Sequence, residues 1–127
     1  MPSGPVVFIS HFRASDVDAY ATMAAASARM IEAEKPRTAG FLHFLDREAG
    51  RVTIVHLFAD ADAMDQHFVG SDERSSKAIG IIEPESWEIF GPASESAVST
   101  MRREAAAAGV PLTVQAEYVD GFLRLTA

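Results

Sequence analysis

The sequence predicts an α+β fold: an antiparallel sheet built from a βαββαβ unit, helices on one sheet face, and a C-terminal αββ extension. Three observations carry this. Phe41–Ala59, FLHFLDREAGRVTIVHLFA, reads as two strands around a polar turn, Asp46–Gly50, because aromatic and β-branched residues crowd both sides of it. Both strands are apolar on both faces, with Phe41 and Leu45 opposed to Leu42 and Phe44, and Val52, Ile54 and Phe58 opposed to Val55 and Leu57. Segments with helical periodicity precede and follow this hairpin.

Pro5–Phe12 forms the first strand, with Val6, Phe8 and Phe12 on one face and Val7, Ile9 and His11 on the other. Ser15 is the expected N-cap of a helix over Asp16–Glu34, whose stripe is Tyr20, Met23, Ala24, Ser27, Met30 and Ile31. Pro36 stops it, and Gly40 leads into the hairpin. Asp60 caps a second helix, Ala61–Val69, with Met64, His67 and Phe68 inward. Ser71 caps a continuation over Asp72–Ile82 carrying Ile79 and Ile82, and Pro84 ends it. Trp87–Phe90 is a short fourth strand, broken by Gly91-Pro92. A third helix over Glu95–Ala108 turns Val98, Met101 and Ala105 inward, with Gly109 as its C-terminal stop. Leu112–Val119 and Phe122–Thr126 read as a closing hairpin about Asp120-Gly121.

At 127 residues the chain is one domain, with its core unit at 5–92 and its extension at 93–127. A net charge of −7 argues against partners such as nucleic acid or anionic lipid, which demand a basic surface. The absence of cysteine excludes disulfides, thiolate metal sites and a cysteine nucleophile. No apolar run has membrane-spanning length, and MPSGPVVFISHF lacks the features of a signal peptide, so a cytoplasmic location is expected.

The four histidines are the acid–base groups available near neutral pH. His67 lies on an apolar helical stripe, where a core histidine bonded to a carbonyl or carboxylate is the ordinary reading and a pocket base the sharper one. His43 and His56 sit on neighbouring strands. A two-residue turn makes them face each other, a four-residue loop makes them diagonal, and an odd loop puts them on opposite faces. A neutral, hydrogen-bonded interior pair is the favoured reading. His11, at a strand end, is expected to be partly solvated. There is no HxH or HxxxH spacing, so no metal is expected. Neither a G-x-S-x-G elbow nor a glycine-rich phosphate loop is present.

The element order, the strand text VTIVHLFAD and the helix text DAMDQHF resemble the antibiotic-biosynthesis monooxygenase-like domains of the dimeric α+β barrel superfamily, over Pro5–Phe90. The resemblance implies a ferredoxin-like unit, a homodimer of face-to-face sheets, and a pocket between each sheet and its own helices. It also implies oxidation of phenol- or quinol-like aromatic or polyketide substrates by dioxygen without a cofactor. On that reading His67 is the catalytic base, Tyr20, His43 and His56 orient ring oxygens, and Met64 and Phe68 line the substrate site. Haem-degrading members pair a histidine with an asparagine and a tryptophan; this chain has no asparagine, and Trp87 lies on the fourth strand. The alternative expectation is a non-catalytic, small-molecule-binding or stress-associated dimer using the same pocket. The homodimer also follows from the residues alone, since one helix layer can bury only one of the two apolar sheet faces.

Overall fold

A computed structural model describes residues 3–71, 74, 78 and 80–125. The described elements are β1 (Val6–Ala14), α1 (Val17–Glu34), β2 (Thr38–Asp46), β3 (Arg51–Phe58), α2 (Ala61–Phe68), β4 (Ile82–Phe90), α3 (Glu95–Ala108) and β5 (Leu112–Gln115). They form one five-stranded sheet in the order β2-β3-β1-β4-β5. The first four strands are antiparallel neighbours, as the sequence predicts. No described helix is long and apolar enough to cross a membrane.

Period-two alternation sorts the sheet residues. Val6, Phe8 and Ser10 of β1 and Val52, Ile54, His56 and Phe58 of β3 are buried beneath the helices. Two core clusters result. Tyr20 and Ala24 of α1 pack on Ala14, Val52 and Ile54, while Met64 of α2 and Met101 of α3 pack with Val6, Phe8, Phe58 and Ile89. The opposite face carries Leu42 and Phe44, which remain exposed.

Four expectations about the elements are corrected. Asp16, not Ser15, caps α1: its carboxylate accepts from the Ala19 amide at 3.0 Å. Ser15 instead donates through Oγ to the Gly80 carbonyl at 3.0 Å. Asp16→Ala should therefore cost about 1 kcal/mol and Ser15→Ala only a few tenths, measured by urea unfolding. The expected continuation over Asp72–Ile82, with Ile79, lies mostly outside the described residues, and Ile82 already belongs to β4. Pro84 does not end a helix but sits inside β4. The pairing shifts there, from His11 opposite Ser86 to Phe12 opposite Pro84, and such a bulge tolerates a residue without an N–H.

The largest correction is at the C-terminus. Leu112–Gln115 pairs parallel to β4, from Trp87 opposite Leu112 to Phe90 opposite Gln115, and α3 is the crossover. No strand follows among the described residues, so the expected hairpin is absent. Gly109 does close α3, in the left-handed conformation at φ 71°. Gly91 lets β4 end against the start of β1: a Cβ there would lie 2.2 Å from the Pro5 carbonyl oxygen.

Candidate functional site

A cavity of about 920 Å³ lies between the sheet and its helices. That is within the usual ~300–1,000 Å³ of small-molecule sites. Its walls draw on both core clusters: Phe8, Met64 and Met101 from one, Tyr20, Ala24 and Ile54 from the other. The helix α1 contributes Met23, Ser27 and Met30, so its small and flexible residues leave space against the sheet rather than filling it. Ala97 and Thr100 of α3 join the lining, which makes the extension part of the cavity wall.

Three histidines reach this cavity from three elements. His43 is on β2, His56 on β3 and His67 on α2. The β2–β3 loop has four residues, Arg47–Gly50. Register therefore sets Phe41 opposite His56 and His43 opposite Ile54, so the two histidines are diagonal. They do not form the hydrogen-bonded pair favoured from the sequence. The ring of Phe41 stands beside all three imidazoles, with centroids 4.6 Å from His43, 5.1 Å from His56 and 5.6 Å from His67.

Each histidine has its own partner. His56 Nδ1 donates to the Phe8 carbonyl at 3.1 Å, which leaves Nε2 as its lone-pair nitrogen. His67 Nδ1 lies 2.7 Å from the Thr38 hydroxyl. His43 Nδ1 lies 2.5 Å from the Tyr20 hydroxyl. The Nε2 atom of His43 is buried and has no partner among the described residues. A buried polar atom left unpaired costs about 1–3 kcal/mol, so it marks a place where a ligand atom would be welcome.

Burial holds these imidazoles neutral. It is the leading cause for His56, pushed down to about 3, where repulsion from His67, His43 and Arg74 outweighs the bond to Phe8. It also leads for His67, pushed down to about 4 with help from Arg74 and Lys35. His43 is lowered by burial alone. Burial raises the Tyr20 phenol, which stays protonated at all ordinary pH. No group of three or more potential metal ligands gathers among the described residues.

The structure thus gathers Tyr20, His43, His56, Met64, His67 and Phe68 around one cavity. Sequence reasoning missed three further members. Phe41 carried the signal of its face but not of its central place. Thr38 had no signal, being 29 residues from His67. Trp87 lines the cavity because its position on β4, opposite Ser10, faces the helices. His11 stands apart on the other sheet face, half-exposed, with Nε2 at 2.7 Å from Glu88 and Nδ1 at 3.1 Å from Thr53.

No family model matches the sequence, and neither does any curated protein. Solved structures resemble the fold. MupZ from Pseudomonas fluorescens superposes with a TM-score of 0.70 at 14% identity, covering 96% of each chain. A mutant of SnoaB, a cofactor-independent oxygenase from Streptomyces nogalater, gives 0.57 at 16% identity, covering 68% of this chain and 91% of that one. A putative antibiotic biosynthesis monooxygenase from Bacteroides thetaiotaomicron gives 0.54 at 14% identity, covering 62% and 80%. The likeness to MupZ takes in the extension. The chain adopts the ferredoxin-like α+β fold of the antibiotic-biosynthesis monooxygenase-like proteins.

Proposed function

We propose that this protein is a cofactor-independent monooxygenase acting on a phenol- or quinol-like aromatic substrate, such as an aromatic polyketide. The observation that carries the reading is the buried, unpartnered Nε2 of His43, a residue that lines a large apolar cavity and is tied through Nδ1 to Tyr20. SnoaB, of the same fold, is a cofactor-independent oxygenase, which supports the reaction class.

The base role moves from His67 to His43. In the working tautomer, His43 donates through Nδ1–H to the Tyr20 oxygen and offers its Nε2 lone pair to the substrate hydroxyl. The proton passes to Nε2, and the phenolate ring becomes electron-rich enough to react with dioxygen. One oxygen atom becomes a carbonyl at a ring carbon and the other leaves as water. All the electrons come from the substrate, so no outside reductant is needed. His56 and His67, neutral and fixed by Phe8 and Thr38, orient ring oxygens. Met64, Phe68 and Phe41 exclude water from the anion.

The working unit is a homodimer joined by the sheet faces that bear Leu42 and Phe44. The helices bury the other face, and an apolar sheet face of several hundred Å² is seldom left in water.

Oxygen uptake with anthrone- and naphthol-type substrates tests the reaction. His43→Ala is expected to lower kcat by roughly 10²–10⁴, and Tyr20→Phe by roughly tenfold, with the fold intact by circular dichroism. Loss with His67→Ala but not His43→Ala would return the base role to His67. Ligand-induced thermal stabilisation without oxygen uptake from any substrate would favour the binding protein over the enzyme.

A further inference from the structure

The inward residues of the sheet line up in rows across the strands. His43 of β2 lies opposite Ile54 of β3, Ile54 opposite Ser10 of β1, and Ser10 opposite Trp87 of β4. All four line the cavity. The neighbouring row runs Phe41, His56, Phe8 and Ile89, and its first three members line the cavity as well. The cavity therefore extends across the strands, over about 14 Å from β2 to β4 at ~4.7–4.9 Å per strand. Its two ends differ. The sheet histidines that line it come from β2 and β3, whereas β1 and β4 contribute Phe8, Phe12, Ile82 and Trp87, with Ser10 among them.

Ser10 is out of character there. Period-two alternation turns it inward with Val6 and Phe8, and it is 3% exposed. Its hydroxyl bonds no described residue, and its place on the cavity wall leaves the oxygen open to whatever fills the cavity. A buried hydroxyl without a partner costs free energy that an alanine in the same place would not. Its natural partner is therefore a polar atom of a molecule that enters the cavity.

We propose that Ser10 is a binding residue that selects substrates with two oxygens at opposite ends of a fused-ring system. His43 takes the hydroxyl at one end, and the Ser10 hydroxyl bonds the oxygen at the other. The proposal rests on the role of His43 proposed above and adds what the substrate carries beyond its reacting hydroxyl. Spacing sets the size. His43 and Ser10 are two strands apart, which separates their backbones by about 9–10 Å. Side chains on one sheet face stand roughly perpendicular to it, so their tips keep roughly that separation. Oxygens on opposite sides of a single ring are too close together to meet both tips. Oxygens at opposite ends of two or three fused rings can meet both. Ile54 lies between the two residues and gives the rings an apolar floor. Trp87, one strand beyond Ser10, offers the far end an aromatic wall.

Calorimetric titration of the full chain with 2-naphthol and with naphthalene-2,6-diol tests this, since the two probes differ only in the second hydroxyl. The wild type should bind the diol roughly tenfold more tightly, the effect of one neutral hydrogen bond. Ser10→Ala should lose that tenfold for the diol and bind 2-naphthol within about twofold of the wild type. Ser27→Ala, which removes a cavity hydroxyl on α1 instead, should keep the preference. Without ligand, Ser10→Ala should melt no lower than the wild type, because no bond within the fold is lost. A lower melting temperature would make the serine a structural residue and overturn the proposal. So would a wild type without the preference, or a Ser10→Ala chain that retains it. Loss of the preference in Ser27→Ala alone would place the second contact on α1 and also overturn it. A preference that depends on Ser10, with no oxygen uptake from either probe, upholds Ser10 and overturns the oxygenase. A folded wild type that binds neither probe overturns both.

Discussion

Folding stability should fall by about 3–4 kcal/mol between pH 7 and pH 5, because the site histidines are buried without charge. The sign follows from the two states. Unfolded, His56 and His67 take up protons near pH 6.5. Folded, they resist until about pH 3 and pH 4. Their neutral burial therefore stabilises the fold fully above the unfolded value and is lost as the pH falls through that window. Between about pH 6.5 and 5 the unfolded chain binds up to two more protons, a slope near 2.7 kcal/mol per pH unit. Their mutual repulsion adds to the resistance of the folded state to protonation. The whole stability of such a domain is about 5–15 kcal/mol, so the loss is severe. The general charge of −7 works the other way, since acidification relieves self-repulsion. Urea midpoints across this range measure the effect. His56→Gln, which keeps a donor for the Phe8 carbonyl, should roughly halve the slope. A midpoint that does not move between pH 7 and pH 5 would show that the imidazoles are not buried neutral.

The sheet core was legible because its signals are local. Each of Phe41, Leu42, Val55 and Phe58 declares its face through period-two alternation, and the helices declare their stripes in the same way. The hairpin at Asp120-Gly121 was a sound turn signal attached to the wrong context. A turn dipeptide favours a hairpin only when both flanks have an edge to join. Leu112–Gln115 instead takes the free edge of β4, an outcome set by the α3 crossover and by residues more than twenty positions away. Pro84 misled for the same reason, since its missing N–H matters only if its strand neighbour needs it, and the bulge removes that need.

The site was legible as a set of residues but not as a set of contacts. Tyr20 and His43 were each placed on an inward face, yet their 2.5 Å approach depends on how α1 is rotated over β2. The relation between His43 and His56 turned on one loop length, which the sequence left open among three registers and the four-residue loop resolves as diagonal. What distinguishes His43 from His67 is its buried, unpartnered Nε2, which no sequence pattern announces.

Phe58→Ala should be among the most damaging single substitutions, costing about 3–5 kcal/mol. Phe58 is 2% exposed, faces the helices from β3 and belongs to the larger core cluster. Its ring stands 5.3 Å from His67, 6.1 Å from His56 and 6.4 Å from Phe68, so it forms the floor on which the histidines rest. Truncation removes the transfer energy of the ring and leaves a void that β3, paired on both sides to β1 and β2, cannot close. The void adjoins the cavity, so water gains a route to His67. That lessens the desolvation that holds His67 neutral and should bring its protonation back toward ordinary pH. The variant should thus be less stable at pH 7 and also less sensitive to acid than the wild type. Urea unfolding at pH 7 and pH 5 reads both effects, with Val69→Ala as a control: Val69 is 63% exposed, and its substitution should change stability by no more than about 0.5 kcal/mol. A Phe58→Ala protein that keeps the full acid sensitivity would show that the ring does not shield His67.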